Sequence, residues 1–297
     1  MPLPMNEAQR LFHGRSGLFE GLGHVTVDWL PPVVLITMHS PEQGPWIENL
    51  AKGLRELLPD CSSVQSQRRY ERHGPVEVIW GDEITEWEVK ESGLKYRVSL
   101  GRARNTGLFL DMKNGRQWVR EHSHGKRVLN LFAYTCGFSV AAAEGGASTI
   151  LNADLSSTGL SIGRDNHRLN KQSLSGVSFA KLDIFKSFGR FKNRGPFDLL
   201  ICDPPTFQKD SVDIVRDYPK ILRRIDQFMA PGAQVMLCLN APDMSADFLV
   251  SQMAEFAPRY GHEQTLAASR GFAEESGKGL KVLIFGQKPL AQGPAKG

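Results

Sequence analysis

The chain has 297 residues, of which 41% are hydrophobic and 23% charged, and its formal net charge is +4. These values are typical of an ordinary soluble globular protein with room for one large domain and one small one. The sequence has no apolar run of about 18 residues, so no membrane span is expected. The first residues lack the charged start and apolar core of a secretory signal, so we expect a cytoplasmic protein.

Cysteine spacing and basic clusters narrow the range of partners. The four cysteines form no C-x-x-C pair, which predicts reduced thiols rather than a zinc site or a disulfide framework, and no metal is expected. A net charge of +4 favours a polyanionic partner only mildly. Local clusters matter more, although each alone is equally well explained as a solvated surface. They are Arg68, Arg69 and Arg72, then GRARN (101–105) and GRFKNR (189–194).

The first third of the chain alternates short apolar runs with turns. Strand-like runs are HVTVDWL, PVVLITMH, VEVIWG, TEWEVKE and LKYRVSL, and an amphipathic helix is predicted over WIENLAKGLRELL. The last three runs, joined by Gly- and Asp-containing turns, predict an antiparallel meander. We therefore predict a smaller N-terminal α+β domain over residues 1–105, with antiparallel strands that contact the substrate.

The rest of the chain alternates strands and helices. Strands are predicted over RVLNLFA, TILNADL, VSFAKLD, FDLLICD, AQVMLCLN and KVLIFGQ, with helices over FSVAAAEGG, SSTGLSIGRDNHRLNKQ, IVRDYPKILRRIDQFMA and SADFLVSQMAEFAPRYG. Repeated β-α-β units with continuous apolar strands predict a doubly wound parallel sheet of the α/β, Rossmann-like class. This second domain is predicted over residues 106–297.

Four successive strands of that sheet end on polar residues, where ligands bind in open parallel sheets. They are Asn130, Asp154, Asp183 and Asp203. The loop after the first strand lacks G-x-G-x-x-G, so an adenosine cofactor without a pyrophosphate is favoured. Asp154 is then placed to hold ribose hydroxyls. Asp183 is placed to accept from an adenine amine beside Ile184, or else caps the following turn.

The segment DPPTF (203–207) follows a buried strand. Proline has no N–H and a fixed φ, so Pro204 and Pro205 stiffen the exit from the strand and leave nearby carbonyls free. Those carbonyls and the Asp203 carboxylate can accept hydrogen bonds from a base, and Phe207 can stack on it. A rigid turn is the simpler alternative. We predict a substrate clamp here.

The motifs NLFAYTCGFSVAAAEGGA, NADLS, ICDPPTF and GRARNTGLFLDMKNGRQWV resemble the class I methyltransferases of the large-subunit (23S) ribosomal RNA family, the branch with 5-methylcytosine and 7-methylguanine enzymes. The resemblance implies S-adenosylmethionine as cofactor and ribosomal RNA as partner. It implies a catalytic role for Asp203, Pro204, Pro205 and Phe207. The cofactor residues it implies are Phe109, Asp111, Arg116, Asn130, Phe132, Tyr134, Thr135, Gly137, Asp154, Leu155, Ser156, Asp183, Ile184 and Asp203. The segment NTGLFLDMKNGR would fold over the cofactor, or serve as a linker strand.

The sequence departs from this family in two places. The 5-methylcytosine members carry a nucleophilic cysteine in a Ser-Cys-Ser motif, whereas this chain reads VMLCLNAPDM, with Cys238 inside the strand and Asn240 after it. Cytosine C5 needs a thiolate for activation and guanine N7 does not, so direct transfer to nitrogen is favoured and carbon transfer is left open. The first 23 residues are too few for the RNA-binding domain with which family members commonly begin.

Three hypotheses follow for the whole chain. The first is methylation of a ribosomal RNA base, with RNA held by the antiparallel unit and by Arg68, Arg69, Arg72, Arg102 and Arg104. The second keeps the enzyme class but gives it a protein or small-molecule substrate. The third is a non-catalytic module that binds cofactor or RNA. A homodimer is left open.

Overall fold

The computed structural model describes residues 5–42, 45–205, 207–208, 212–274 and 277–288, and of residues 207, 208 and 212 it describes the backbone alone. Within these ranges the chain forms two main sheets and a hairpin that packs between the first sheet and a helix of the second half of the chain. No helix in the described ranges is long and apolar enough to cross a membrane.

The first sheet is the predicted α+β unit. Its strands lie in the order β1-β2-β3-β4-β5. They are β1 (Gln9–His13), β2 (Val25–Leu30), β3 (Val33–Met38), β4 (Ser63–Arg68) and β5 (Val76–Gly81), and helix α1 (Trp46–Leu57) connects β3 to β4. That crossover makes β3 and β4 parallel, while the other neighbours are antiparallel. The apolar stripe of α1 packs on one face of this sheet.

The predicted meander after residue 75 is wrong. Strand β5 belongs to the first sheet, and β6 (Glu86–Glu91) pairs only with β7 (Leu94–Ser99) in a separate hairpin. Its two-residue turn has positive φ at Ser92 and Gly93, which matches the twist of a tight hairpin. Apolar side chains of the hairpin join a core that contains Leu30, Val33 and Leu35 of the first sheet and Val140 and Ala141 of the helix at residues 137–144.

The second sheet is the predicted doubly wound sheet. Its strands are β8 (Arg127–Leu131), β9 (Thr149–Asp154), β10 (Val177–Lys181), β11 (Phe197–Cys202), β14 (Met229–Leu239), β15 (Tyr260–Leu266) and β16 (Lys281–Gln287), and β12 (Phe207–Gln208) and β13 (Val212–Asp213) form a small ribbon outside it. The order is β10-β9-β8-β11-β14-β16-β15, parallel over the first five strands. The order reverses between β8 and β11, which creates the crevice where ligands bind in such sheets.

Helices cover both faces of this sheet. They are α2 (Lys113–His122), α3 (Gly137–Glu144), α4 (Ser157–Leu169), α5 (Phe188–Arg194), α6 (Ile214–Leu222) and α7 (Ala246–Phe256). Side chains of α5, α6 and α7 share one core, and those of α2 and α3 share the core on the opposite face. The predicted α/β class is thus confirmed. The boundary between residues 105 and 106 stays a prediction.

Several elements were not predicted, among them β1, β4, α5, α2 and β15. Helix α2 is mostly polar, and its only large apolar side chains are those of Trp118 and Val119, so its apolar face is short. It is fixed by packing on α3, where a side chain at Gly115 would come within 3.3 Å of the Phe138 ring. Strand β15 is largely exposed and polar, and it forms because β16 offers it an antiparallel edge.

Candidate cofactor and acceptor site

A cleft of about 850 Å³ lies at the carboxyl ends of β8, β9, β10 and β11, within the size range of small-molecule sites. The predicted site residues that line it are Phe109, Asp111, Arg116, Phe132, Tyr134, Thr135, Gly137, Asp154, Leu155, Ser156, Asp183, Ile184, Asp203, Pro204 and Pro205. One predicted site residue, Asn130, is elsewhere. The side chain of Phe207 and the whole of Thr206 lie outside the described residues.

The loop between β8 and α3 forms one wall of the cleft in a constrained conformation. Phe132, Tyr134 and Cys136 have φ of 57°, 45° and 60°, values that non-glycine residues rarely adopt. Long-range contacts hold this conformation, because the Thr135 hydroxyl donates to the Gly107 carbonyl at 2.6 Å. Such strain concentrates at ligand-binding loops, where backbone must approach the ligand closely.

Asp154 organises the centre of the cleft. One carboxylate oxygen accepts from the Tyr134 backbone N–H at 2.8 Å and the other from the Ser156 backbone N–H at 2.7 Å. The Ser156 hydroxyl in turn accepts from the Gly159 N–H and caps α4. Each carboxylate oxygen can accept further hydrogen bonds, so hydroxyl donors can still bind here. Leu155 beside it is 50% exposed and adds an apolar surface to the cleft.

Asp183 follows β10 and caps the next turn. One oxygen accepts from the Phe185 backbone N–H at 3.0 Å, and the other lies 3.2 Å from the Lys186 ammonium. The capping alternative is therefore present in the structure. Ile184 and Phe185 line the same part of the cleft, so a planar ring would meet apolar side chains there. The role of Asp183 toward an adenine stays a prediction.

The segment before α2 folds over the cleft and is not a linker strand. Phe109 is 43% exposed, and its ring centroid lies 5.8 Å from that of Tyr134. Arg116 is only 5% exposed and forms a bidentate pair with Glu91 of the hairpin, with both N–O distances 2.7 Å. Burial lowers the pKa of Arg116, but Glu91 more than offsets this, so its pKa is raised overall. The Arg116 guanidinium is thus fixed beneath the segment that precedes α2.

Asp203 lines the cleft directly after β11, with Pro204 and Pro205 beside it. Burial and the neighbouring Asp111 carboxylate raise the pKa of Asp203 from 3.8 to about 7, partly offset by Arg116. Burial likewise raises the pKa of Asp111. No hydrogen bond to the Asp203 carboxylate is found among the described residues. Two carboxyl groups are therefore held close together with weak compensation, as at sites that bind or neutralise positive charge.

Asn130 requires a correction, because its side chain does not reach the cleft. It is buried, and its side-chain amide donates to the side-chain oxygen Oδ1 of Asn152 at 2.9 Å. Asn152 continues the network to Ser139, whose hydroxyl lies 2.9 Å from His167 Nε2. Strand β8 ends one residue later, so the alternation of its side chains turns Asn130 into the face that packs on α3.

Cys238 is a buried core thiol. It has no exposed surface, and burial raises its pKa well above the usual value. Two residues later, Asn240 emerges from β14 and lines the cleft. The residue that reaches the site after this strand is therefore an amide.

Sequence reasoning missed Phe138 and Lys186 of the cleft. Asn105, Gly107, Leu108, Met112 and Ala133 also line it, and they lie in segments predicted to surround the cofactor without having been singled out. The glycine at position 107 is a usable sequence signal, because glycine is favoured where the backbone must adopt a positive φ, and the φ of Gly107 is 104°. The others are ordinary side chains that tertiary packing brings to the cleft.

The donors and acceptors of the cleft fit an adenosine cofactor. Asp154 offers acceptors for hydroxyls, Leu155 and Ile184 offer apolar surface for a ring, and α4 approaches the loop so closely that a side chain at Gly159 would come within 2.9 Å of the Tyr134 carbonyl. Together with the strand order, this arrangement defines the class I α/β methyltransferases.

Comparison with known proteins specifies the family. The model of the S-adenosylmethionine-dependent methyltransferases matches residues 9–286, and the chain belongs to that family, whose cofactor is S-adenosylmethionine. Ribosomal RNA large subunit methyltransferase I of Aeromonas salmonicida (strain A449) is 33% identical over 230 residues, 73% of this chain and 57% of that protein. The same protein of Escherichia coli (strain K12) is 29% identical over 267 residues, 86% and 67% of the two chains. The resemblance identified from the motifs is confirmed.

Solved structures agree on the fold. A chain from Streptococcus mutans assigned as a SAM-dependent methyltransferase superimposes with a TM-score of 0.85 at 24% identity, covering 96% of this chain and 76% of that one. The SAM-dependent methyltransferase from Agrobacterium tumefaciens gives 0.68 at 16% identity, covering 90% and 88%. The chain spans 57% of the length of the first curated relatives it matches.

Proposed function

We propose that this chain transfers a methyl group from S-adenosylmethionine to a base of 23S ribosomal RNA. The observation that carries the proposal is a basic surface adjoining the cleft. Two loops, residues 68–73 and 101–104, form this surface, which we call the two-loop basic surface. It surrounds a pocket of about 400 Å³ lined by Arg72, His73, Gly101, Arg102, Ala103 and Arg104. Guanidinium groups suit phosphate because they present paired donors.

The two-loop basic surface is connected directly to the cleft. Arg69 donates to the Arg104 carbonyl at 2.7 Å and to the side-chain oxygen of Asn105 at 2.9 Å, and Asn105 lines the cleft. Arg104 donates back to the Arg69 carbonyl at 2.7 Å. Burial and the surrounding cations, Arg15 and Arg69 foremost, lower the pKa of nearby His39 to about 4. Positive potential is therefore concentrated beside the opening, where an RNA strand would enter.

Residues from three loops of the cleft would bind the cofactor. Asp154 would hold the ribose hydroxyls, with Leu155 against the adenine, and Asp183 with Ile184 would flank the far edge of that ring. The loop around Tyr134 would face the methionine portion. When bound, the cofactor supplies an electrophilic methyl group on a sulfonium sulfur.

The base would be held at the opposite end of the cleft. Asp203 and the carbonyls around Pro204 and Pro205 would accept hydrogen bonds from it, and Phe207 would stack on it. The names of the relatives support RNA as the substrate, since the Aeromonas and Escherichia proteins are ribosomal RNA large subunit methyltransferases. Catalysis would depend chiefly on alignment of the acceptor atom with the methyl carbon.

The decisive experiment is mass spectrometry of nucleosides from 23S ribosomal RNA, comparing a strain without this protein with its complemented parent. We expect one methylated base to disappear and to return with the wild type but not with Asp203→Ala. Asp154→Ala is expected to weaken binding of S-adenosylmethionine, whereas Asp203→Ala spares it. An unchanged nucleoside profile would contradict the proposal and direct the search to protein or small-molecule acceptors.

The two-loop basic surface has its own test. Arg72→Ala is expected to weaken RNA binding and to lower the salt dependence of log Kd by about one phosphate contact. Arg194→Ala is the matched control, because that exposed arginine lies just before the amino end of β11, whereas the cleft lies at the carboxyl ends of the strands. Equal effects of the two substitutions, or binding that ignores ionic strength, would refute a phosphate-binding role.

A further inference from the structure

The position of every cysteine constrains the atom that this chain can methylate. A pyrimidine carbon such as cytosine C5 is a poor nucleophile until a thiolate adds at C6, so its methylation needs a cysteine at the acceptor. A nitrogen with its own lone pair needs only alignment with the methyl carbon. Whether a thiol can reach the acceptor therefore separates the two chemistries.

All four cysteines lie in the described ranges, and none lines the cleft. Cys61 is in the core of the first sheet, far along the chain from the acceptor residues. Cys136, Cys202 and Cys238 have no exposed surface. A reactive thiol needs exposure and a stabilised thiolate, and these sites provide neither.

The three buried thiols near the cleft belong to packed cores. Cys136 packs on α4 at Gly163. A side chain at Gly163 would come too close to the Cys136 sulfur, so the glycine leaves room for that sulfur. Cys202 and Cys238 lie on the two neighbouring strands β11 and β14, in the cores on opposite faces of the sheet. Burial raises the pKa of all three, so each thiol stays protonated at neutral pH.

Besides the paired Arg116, the polar side chains that the described residues bring to the Asp203 end of the cleft are an amide and two carboxyls, from Asn240, Asp111 and Asp203. None of these can add to a pyrimidine ring as a thiolate does. The carboxyls instead favour an acceptor on which positive charge develops during transfer.

We infer that this chain methylates a nitrogen atom of its base by direct displacement, without a covalent enzyme adduct. The inference rests on the proposed function. The lone pair of the nitrogen forms the new N–C bond as the S–C bond breaks, and that electron pair stays on sulfur, which leaves as a neutral thioether. Asp203 and Asp111 stabilise the positive charge on the nitrogen. Where that nitrogen bears a hydrogen, Asp203 accepts the proton.

The test uses the purified full chain, 23S ribosomal RNA from the strain that lacks it, and S-adenosylmethionine with a deuterated methyl group. Nucleoside mass spectrometry is expected to find the label in an N-methylated nucleoside. Label in 5-methylcytidine would overturn this inference and leave the proposed function intact. RNA that acquires no label would overturn the proposed function, and this inference with it.

A second measurement asks directly for a covalent adduct. RNA transcribed with 5-fluorocytidine traps the thiol adduct of a carbon methyltransferase, so we expect no denaturant-resistant complex with this chain. Cys238→Ala is expected to keep kcat within about threefold, as Cys61→Ala does, because a buried thiol packs like a small apolar group. A trapped complex, or loss of activity in Cys238→Ala at unchanged Tm, would refute the inference.

Discussion

Replacing Asp203 with asparagine is expected to stabilise the protein above neutral pH while abolishing methyl transfer. Burial and Asp111 raise the pKa of Asp203 from 3.8 to about 7, so the ionised carboxylate is less stable in the folded protein than in the unfolded chain. Asparagine has nearly the same shape and carries no charge. The substitution therefore removes an unfavourable charge from the candidate site. Trade-offs between stability and activity are common at such sites.

The magnitude and its pH window follow from linkage. Each unit of pKa difference is worth about 1.4 kcal/mol, so a rise from 3.8 to about 7 corresponds to at most roughly 4 kcal/mol. Because the folded pKa of Asp203 is the higher one, the destabilisation is absent below pH 3.8, grows as the pH rises and is complete above about pH 7.

The assay is thermal unfolding of the wild type and the variant at pH 8.5 and at pH 4. For a chain of this size about 2 °C of Tm corresponds to 1 kcal/mol, so we expect Asp203→Asn to raise Tm by up to about 8 °C at pH 8.5. At pH 4 the gain should fall below about 1 kcal/mol, because Asp203 is then protonated in the folded protein.

Asp217→Asn provides a control of opposite sign. Burial alone would raise the pKa of Asp217, but hydrogen bonds from Arg216, Lys220 and the Asp213 backbone outweigh it and lower the value to about 2. The ionised form of Asp217 therefore stabilises the fold above pH 3.8, and its loss should lower Tm at pH 8.5. The reasoning on Asp203 fails if Asp203→Asn lowers Tm at pH 8.5, or raises it equally at both pH values.

Two further substitutions test the packing around the site. Glu91→Gln leaves Arg116 buried without its anionic partner. Urea titration should therefore find that the free energy of unfolding falls by about 3–5 kcal/mol. A loss below about 1 kcal/mol would argue against a buried ion pair. Gly163→Ala should lower Tm because the added methyl meets the Cys136 sulfur, whereas Gly53→Ala in α1, with nothing within 4 Å, should leave Tm unchanged or raise it; equal effects would contradict the packing.

Much of the fold and of the cofactor wall could be predicted from the sequence because those signals are local. The continuous apolar strands and the helices between them specify the parallel sheet. The residues directly after its strands then share one edge, which is why Asp154, Asp183 and Asp203 all line one cleft. Asp203-Pro-Pro was recognisable because proline constrains the backbone wherever it occurs.

Tertiary structure decided what depends on contacts between distant residues. The Asn130 side chain joins a buried hydrogen-bond network because its face of β8 packs on α3. Its position near the end of the strand does not show which face it occupies. Glu91 anchors Arg116 across 25 positions of sequence, and Arg69 reaches Asn105 across 36. Side-chain burial is set by which elements pack together, so only the assembled fold shows that each cysteine is sealed in a core while Asn240 reaches the cleft.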